Sequence, residues 1–196
     1  MFKTAFSLSL VALLAIAPAA GAQDAAAPET GTSDPVSTLD TGREVDDDGA
    51  YVKETHGDWS LRCFPNEESE DMCQLYQLLT EEEGNPVAEF SLYRIDGTSN
   101  IEAGATVAVP LGTLLTEEMK ISVDDGKAKS YSFSYCTMGG CFARIGLTGA
   151  DVEAMKRGAT ATIEIVPAQA PEQTVRIDAS LSGFTAGYDE TSTLSN

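Results

Sequence analysis

Apolar and polar residues alternate with a period of two along most of the chain after Tyr51. This period is typical of β-strands that have one face in a core and the other in solvent. In the first such run, Trp59, Leu61 and Cys63 fall on one face. The pattern predicts about eight or nine strands, in the ranges 58–64, 73–79, 87–95, 101–109, 119–123, 131–135, 141–147, 159–166 and 174–181.

One segment, residues 148–158, departs from this alternation. Val152 and Met155 are spaced for one face of a helix. Thr148 can cap the helix N-terminus with Asp151 three residues later, and Gly158 can end the helix. The segment therefore predicts one short helix between strands.

Two features specify how the strands connect. The sequence Asp124-Asp125-Gly126-Lys127 is typical of a hairpin turn, because glycine accepts the positive φ that tight turns demand. The aromatic run 131–135 alternates without interruption and can pair with 141–147. Together these patterns predict an all-β fold, an antiparallel β-sandwich or barrel-like domain.

The first 22 residues have the features of a secretory signal peptide. Lys3 supplies positive charge, residues 6–16 are apolar, and Ala20-Gly21-Ala22 supplies small residues for cleavage before Gln23. The apolar run is too short for a membrane span, which needs about 20 residues. No second run of that length follows, so we expect no transmembrane segment in the mature chain.

Residues 23–50 are predicted to form a disordered acidic linker. They are rich in Ala, Pro, Thr, Ser, Gly and Asp, and only Arg43 is basic. Such a segment cannot bury enough apolar surface to offset its ordering entropy. The predicted β domain then covers residues 51–188, and residues 189–196, which lack an apolar period, are predicted to be a flexible tail.

The charge balance narrows the possible partners. The chain has 12 basic and 31 acidic residues, a formal net charge of −19. Because nucleic acids and anionic lipids are bound through Lys and Arg contacts, both are poor candidates. We interpret the negative charge mainly as a source of solubility.

The four cysteines are the strongest chemical signal. An even number in an exported chain indicates disulfide bonds, for which three connectivities are possible. Cys63 and Cys73 flank one strand connection, and Cys136 and Cys141 flank another. A hairpin brings such local pairs within bonding distance, so we predict 63–73 and 136–141.

Other chemistries are less well supported. Zinc sites usually contain two close cysteine pairs, whereas here the first pair is widely spaced and His56 is the only histidine. Redox pairs are usually Cys-x-x-Cys at a helix start, unlike 136–141. His56 is expected to be an inert surface residue, and 124–126 lacks the ligand pattern of a calcium loop. We therefore predict no catalytic, cofactor-binding or metal-binding residue.

Several short motifs resemble the invasion-associated locus B (IalB) family over residues 52–188. The motifs are Trp59-x-x-x-Cys63, Cys73, Pro110-Leu111-Gly112, Ile121, Asp124-x-Gly126, Cys136-x-x-x-Gly140-Cys141-x-Ala143 and Ser180-Leu181-x-Gly183-Phe184. The resemblance implies an exported protein of alphaproteobacterial type, in a family named for bacterial entry into host cells. It implies no enzymatic activity or cofactor. The linker, and the polar end at 185–188, depart from the family pattern.

Two functional hypotheses follow. The first is a non-enzymatic binding or accessory protein, periplasmic or secreted, whose partner is an envelope or host surface protein or glycan. The alternative is a periplasmic hydrolase or thiol oxidoreductase with a site assembled from scattered residues. A thiol titration separates the oxidoreductase from the binding protein, because only the former needs a free or readily reduced cysteine pair.

We predict that the signal peptide is cleaved between Ala22 and Gln23, because small residues occupy the positions that signal peptidase recognises. Mass spectrometry of the exported protein should give a mature chain beginning at Gln23. An intact Met1 would contradict export by this route.

Overall fold

The computed structural model describes residues 49–81, 84–97 and 100–195. The predicted signal peptide and nearly all of the predicted linker lie outside the described residues. Within these ranges the chain forms twelve strands and two helices. In order they are β1 Tyr51–His56, β2 Trp59–Phe64, β3 Met72–Thr80, β4 Pro86–Asp96, β5 Ile101–Val109, β6 Met119–Val123, β7 Lys129–Tyr131, β8 Tyr135–Thr137, β9 Gly140–Thr148, α1 Gly149–Arg157, β10 Thr160–Ile165, β11 Val175–Ser180, α2 Phe184–Glu190 and β12 Thr193–Ser195.

The strands form two sheets. The larger sheet has the order β1-β2-β3-β4-β5-β9-β8 with antiparallel neighbours, and β12 pairs in parallel with the end of β4. The smaller sheet has the antiparallel order β11-β10-β6-β7. The predicted all-β class with antiparallel sheets is confirmed.

The apolar faces of both sheets meet in one core. Phe90 and Val107 of the larger sheet and Ile163 of the smaller sheet are fully buried and belong to the same cluster. Alternate residues along the strands face outward, as the period of two predicts. Two sheets that enclose one core form a β-sandwich. Among the described residues, no helix is long and apolar enough to cross a membrane.

Helix α1 forms where the sequence predicts it. The Thr148 side chain accepts from the Asp151 amide, and the Asp151 carboxylate accepts from the Thr148 amide at 2.9 Å, a capping box. Burial raises the pKa of Asp151, but hydrogen bonds from Lys129 and Thr148 outweigh it and hold the pKa below its ordinary value. This contribution to stability is present above the unfolded-state pKa and is lost as the pH falls through the lower folded value.

The aromatic run 131–135 is not the single strand that the sequence predicted. It contributes Tyr131 to β7 in the smaller sheet and Tyr135 to β8 in the larger sheet. Phe133, between them, is half-buried and packs against the core. Tyr131 and Phe133 pack against the core, whereas Tyr135 is 49% exposed, so the alternation in the sequence continues although the chain changes sheets and its last aromatic turns to solvent.

The predicted flexible tail, residues 189–196, is wrong for 189–190, which belong to α2, and for 193–195, which form β12. Arg94 donates from Nε and Nη2 to the Thr191 carbonyl at 3.1 and 2.6 Å. The Ser192 amide donates to the Cys73 carbonyl at 2.8 Å, and the Cys73 amide donates to Ser192 Oγ at 2.8 Å. Hydrogen bonds to the backbone hold this segment, so it needs no apolar period.

Helix α2 was not predicted. Phe184 and Tyr188, four residues apart, are both buried and stack at 5.7 Å. Burial, followed by the nearby Glu102 charge, raises the pKa of Tyr188 to about 12, and its hydroxyl donates to the Glu102 carbonyl at 3.3 Å. The four-residue spacing of these two aromatics was the available signal.

Trp59, at the start of β2, connects the two sheets. Its indole is fully buried, and Nε1 donates to the carbonyl of Ser180 in β11 at 2.8 Å. The ring meets Phe90 and Phe184 edge-on, at centroid distances of 5.7 and 5.5 Å. One side chain therefore joins β2, β4, β11 and α2.

Gln77 completes this junction from β3. Its Nε2 donates to the Ser180 carbonyl at 3.0 Å and to the Asp58 carbonyl at 3.1 Å. Gln77 is 5% exposed, although it lies on a strand of otherwise apolar inward residues. A buried polar side chain is tolerated here because its amide group satisfies two carbonyls.

We predict that Gln77→Leu lowers the free energy of unfolding by about 2 kcal/mol, because the Asp58 carbonyl loses its amide donor and Ser180 keeps only Trp59. Urea unfolding followed by tryptophan fluorescence measures the change. Leu78→Gln is the matched control, since Leu78 is 48% exposed, and should change stability by no more than about 0.5 kcal/mol. Equal losses in the two variants would contradict the role of Gln77.

Candidate functional site

The first disulfide joins Cys63 of β2 to Cys73 of β3. The two residues are directly opposite in the antiparallel register. Both are buried and form a small cluster with Leu61, apart from the main core. This bond therefore stabilises the part of the larger sheet that lies beyond the sandwich core.

The second disulfide joins Cys136 and Cys141 across the β8–β9 hairpin. These are the two local pairs that the sequence predicted. Cys141 is buried, whereas Cys136 and the turn residue Met138 are exposed. The bond lies between strands, without the helix N-terminus that lowers thiol pKa values in redox pairs. This geometry favours a structural role.

The tight turn of this hairpin depends on Gly140 more than on Gly139. Gly140 has φ +146°, and a Cβ there would lie 2.6 Å from the Val109 carbonyl oxygen. At Gly139 a Cβ would meet only Thr137 Oγ1, at 3.6 Å. Only the second glycine of the pair is therefore required by sterics.

The acidic turn after β6 has a structural role. The Asp124 carboxylate accepts from the Ala159 amide and, at 2.9 Å, from the Thr160 amide. The predicted hairpin between β6 and β7 is observed. The positive φ, +48°, falls on Asp124 and not on the glycine. Gly126 is needed for a different reason, because a Cβ there would lie 2.7 Å from the Val123 carbonyl oxygen. The carboxylate thus ties the turn after β6 to the start of β10.

His56 is not the surface residue that the sequence predicted. Its side chain is 10% exposed, and Nε2 lies 3.6 Å from Glu190 Oε1. Glu54 is the third member of this group. Sequence reasoning could not predict the contact between Glu190 and His56, because the two residues are far apart in the sequence. They meet only when α2 packs on β1.

A groove of about 490 Å³ opens between the two sheets. One wall is the segment 110–113, which belongs to the motif Pro110-Leu111-Gly112. The Leu114 amide donates to the Val166 carbonyl, and the Ala168 amide donates to the Gly112 carbonyl, both at 2.7 Å. These bonds hold the wall against the end of β10, while the Leu111 side chain remains 57% exposed.

The opposite wall is β11, the edge strand of the smaller sheet. The Leu181 amide donates to the Ala159 carbonyl, and this bond shows which residues of β11 hydrogen-bond to β10: Leu181 and every second residue before it. The backbone groups of successive residues alternate in direction along an antiparallel strand. The amide and carbonyl groups of Arg176 and Asp178 therefore face away from β10, along the groove.

The groove combines apolar and acidic groups. Val87 and Ile177 are apolar lining residues, and Glu81 and Asp178 are acidic ones, with Asp178 Oδ1 accepting a hydrogen bond from Thr162 Oγ1 at 2.7 Å. Arg176 donates to Glu164 at 2.9 Å and is itself largely exposed. The lining is typical of a binding groove, which has a largely apolar floor and a few polar groups.

Two antiparallel sheets, one core and two hairpin disulfides define a disulfide-stabilised β-sandwich. The model of the family described as "Invasion associated locus B (IalB) protein" matches residues 59–192, and the chain belongs to this family. The resemblance inferred from the sequence motifs is confirmed. The match extends past residue 188 and so includes Thr191 and Ser192, which fix the C-terminal segment.

A solved structure supports the same fold. The chain is similar to the crystal structure of invasion associated protein B from Bartonella henselae, with 22% sequence identity and a TM-score of 0.59. The similarity covers 69% of this chain and 92% of that chain. No match was found among curated protein sequences.

We predict that Gly140→Ala slows formation of the Cys136–Cys141 bond and lowers the free energy of unfolding by about 2 kcal/mol, because a Cβ clashes with Val109. Thiol loss during oxidative refolding and urea unfolding measure the two effects. Gly139→Ala is the matched control and should be near wild type. Normal oxidation and stability of Gly140→Ala would show that the turn is looser than the structure indicates.

Proposed function

We propose that this chain is an exported, non-enzymatic binding protein of the bacterial envelope. It takes an extended segment of a partner protein into the inter-sheet groove, as an additional strand on β11. The outward edge of β11 at Arg176 and Asp178, beside the inter-sheet groove, is the observation that carries the proposal. Main-chain hydrogen bonds supply affinity in such strand addition, and side-chain pockets supply specificity.

The disulfide bonds support the proposed location in the bacterial envelope or outside the cell. Two disulfides, with no free cysteine among the described residues, fit an oxidising environment. The IalB family is named for invasion, and so is the similar protein from Bartonella henselae. A host or envelope surface protein is therefore the partner class that we propose.

The groove favours an extended polypeptide segment. The outward amide and carbonyl groups of Arg176 and Asp178 offer strand-type hydrogen bonds, and Leu111 offers an exposed apolar contact. The carboxylates of Glu81 and Asp178, on a chain of net charge −19, favour basic side chains in the segment.

The test uses a library of extended peptides with alternating apolar and basic residues, screened against the mature protein by fluorescence anisotropy. Leu111→Asp should weaken binding of a selected peptide by about tenfold or more, because a charge replaces apolar contact surface. Leu115→Asp is the matched control, since Leu115 is also exposed, at 46%, but does not line the groove. Equal effects of both changes would contradict the location.

Amide hydrogen exchange tests the binding mode. Peptide binding should newly protect the amides of Arg176 and Asp178, whereas the Ile177 amide faces β10 and should already be protected. If a glycan array gives ligands that require Leu111 but leave the two amides unprotected, strand addition is wrong and the groove binds carbohydrate.

A further inference from the structure

Three metal-ligating side chains converge between β1 and α2. Glu54, His56 and Glu190 each offer one donor atom, and these atoms all lie within 4.8 Å of one another. Within this group, His56 Nε2 and Glu190 Oε1 are 3.6 Å apart. This group lies outside the inter-sheet groove and is independent of the proposed peptide site.

A β-bulge directs two of the three side chains. In the register of β1 and β2, Val52 pairs with Arg62, but Glu54 then pairs with Leu61 because an extra residue intervenes. Without the bulge, Lys53 would lie opposite Leu61. Residues directly opposite each other share a face of the sheet, so the bulge brings Glu54 to the side on which Leu61 is buried.

The same register brings His56 opposite Trp59. His56 therefore points toward α2, where a Cβ on Gly187 would lie 3.2 Å from His56 Cδ2. The glycine lets the helix backbone approach the imidazole ring. Glu190 is the last residue of α2, and its carboxylate lies beside the imidazole ring. The Glu190 side chain is 43% exposed.

The imidazole of His56 is buried, and its Nε2 atom makes no hydrogen bond to the described residues. The His56 side chain is nine-tenths buried. Burial of an unsatisfied polar atom costs free energy, so such atoms are rare in folded proteins. A cation between Nε2 and the two carboxylates would remove this cost.

We propose that Glu54, His56 and Glu190 form a binding site for zinc or a similar divalent transition metal, and that the bound ion links β1 to α2. Imidazole nitrogen with carboxylate oxygens is a donor set for zinc, whereas calcium and magnesium prefer oxygen ligands alone. Donors about 2.1 Å from a tetrahedral zinc ion are about 3.4 Å apart, close to the observed His56–Glu190 separation. The exposed Glu54 carboxylate closes the site by side-chain rotation.

Direct binding is the first test. The untagged, chelator-treated mature protein is titrated with ZnCl₂ by calorimetry in millimolar Mg²⁺, which occupies weak sites among the many surface carboxylates. We expect saturable binding of one equivalent. Glu190→Gln and Glu54→Gln should each weaken it by about tenfold or more, because loss of even a group that supports a metal ligand typically costs that much affinity. Glu172→Gln, an exposed acidic control outside the group, should bind zinc like wild type.

The imidazole gives a second readout. His56 is the only histidine, so one set of imidazole NMR signals reports on the site without ambiguity. Zinc should shift these signals in the wild type and in Glu172→Gln, but not in the double variant Glu54→Gln/Glu190→Gln. Circular dichroism checks that each variant is folded, so loss of binding is not confused with unfolding.

Two results would overturn the proposal. Binding that is equally strong in the double variant, or that leaves the His56 signals unchanged, would place zinc elsewhere on the acidic surface. Absence of saturable binding would show that His56 and Glu190 form only a histidine–carboxylate pair. Neither result bears on peptide binding at Leu111, so the two proposals fail independently.

Discussion

The carbonyl of Ser180 is the point on which the sandwich depends. It ends β11 and accepts hydrogen bonds from Trp59 and Gln77, which belong to the other sheet. Two sheets held only by apolar contacts can slide, because the hydrophobic effect is not directional. These two donors fix the relative position of the sheets. The fully buried indole then sets the position of α2 through its contact with Phe184.

This junction gives β11 two different ends. At Ser180 the outward carbonyl is occupied by side chains of β2 and β3, whereas the corresponding groups of Arg176 and Asp178 line the groove. An open strand edge is a liability unless it is covered or used. One strand is thus closed at Ser180 and open beside the segment 110–113, and the open part is the surface that we assign to a partner.

At the closed end, the segment that leads into α2 approaches the β1–β2 turn very closely. Gly57 has φ +57°, and a Cβ there would lie 2.5 Å from the Ser182 carbonyl oxygen. The Asp58 amide donates to the same oxygen at 3.1 Å. Contact between backbones at this distance is possible only with glycine. The approach brings Glu190 to His56, so the proposed cation site and the closure of the sandwich share a cause.

The sequence by itself determined the strand-rich class, α1 with its capping box, and both disulfides. These features arise from local pattern or from neighbours along the chain: the period of two, the spacing of Thr148 and Asp151, and cysteines on either side of one turn. The motif that begins at Trp59 also sufficed to indicate the family. Such signals need no knowledge of which distant segments meet.

Only the tertiary structure decided the rest. The aromatic run 131–135 keeps its alternation while changing sheets, so its pattern does not reveal the break. The segment after Tyr188 is ordered by hydrogen bonds from Arg94 and Cys73 rather than by apolar side chains. The groove and the Glu54–His56–Glu190 group join residues far apart in sequence. Their formation depends on a bulge and on the packing of a helix, which local periodicity does not encode.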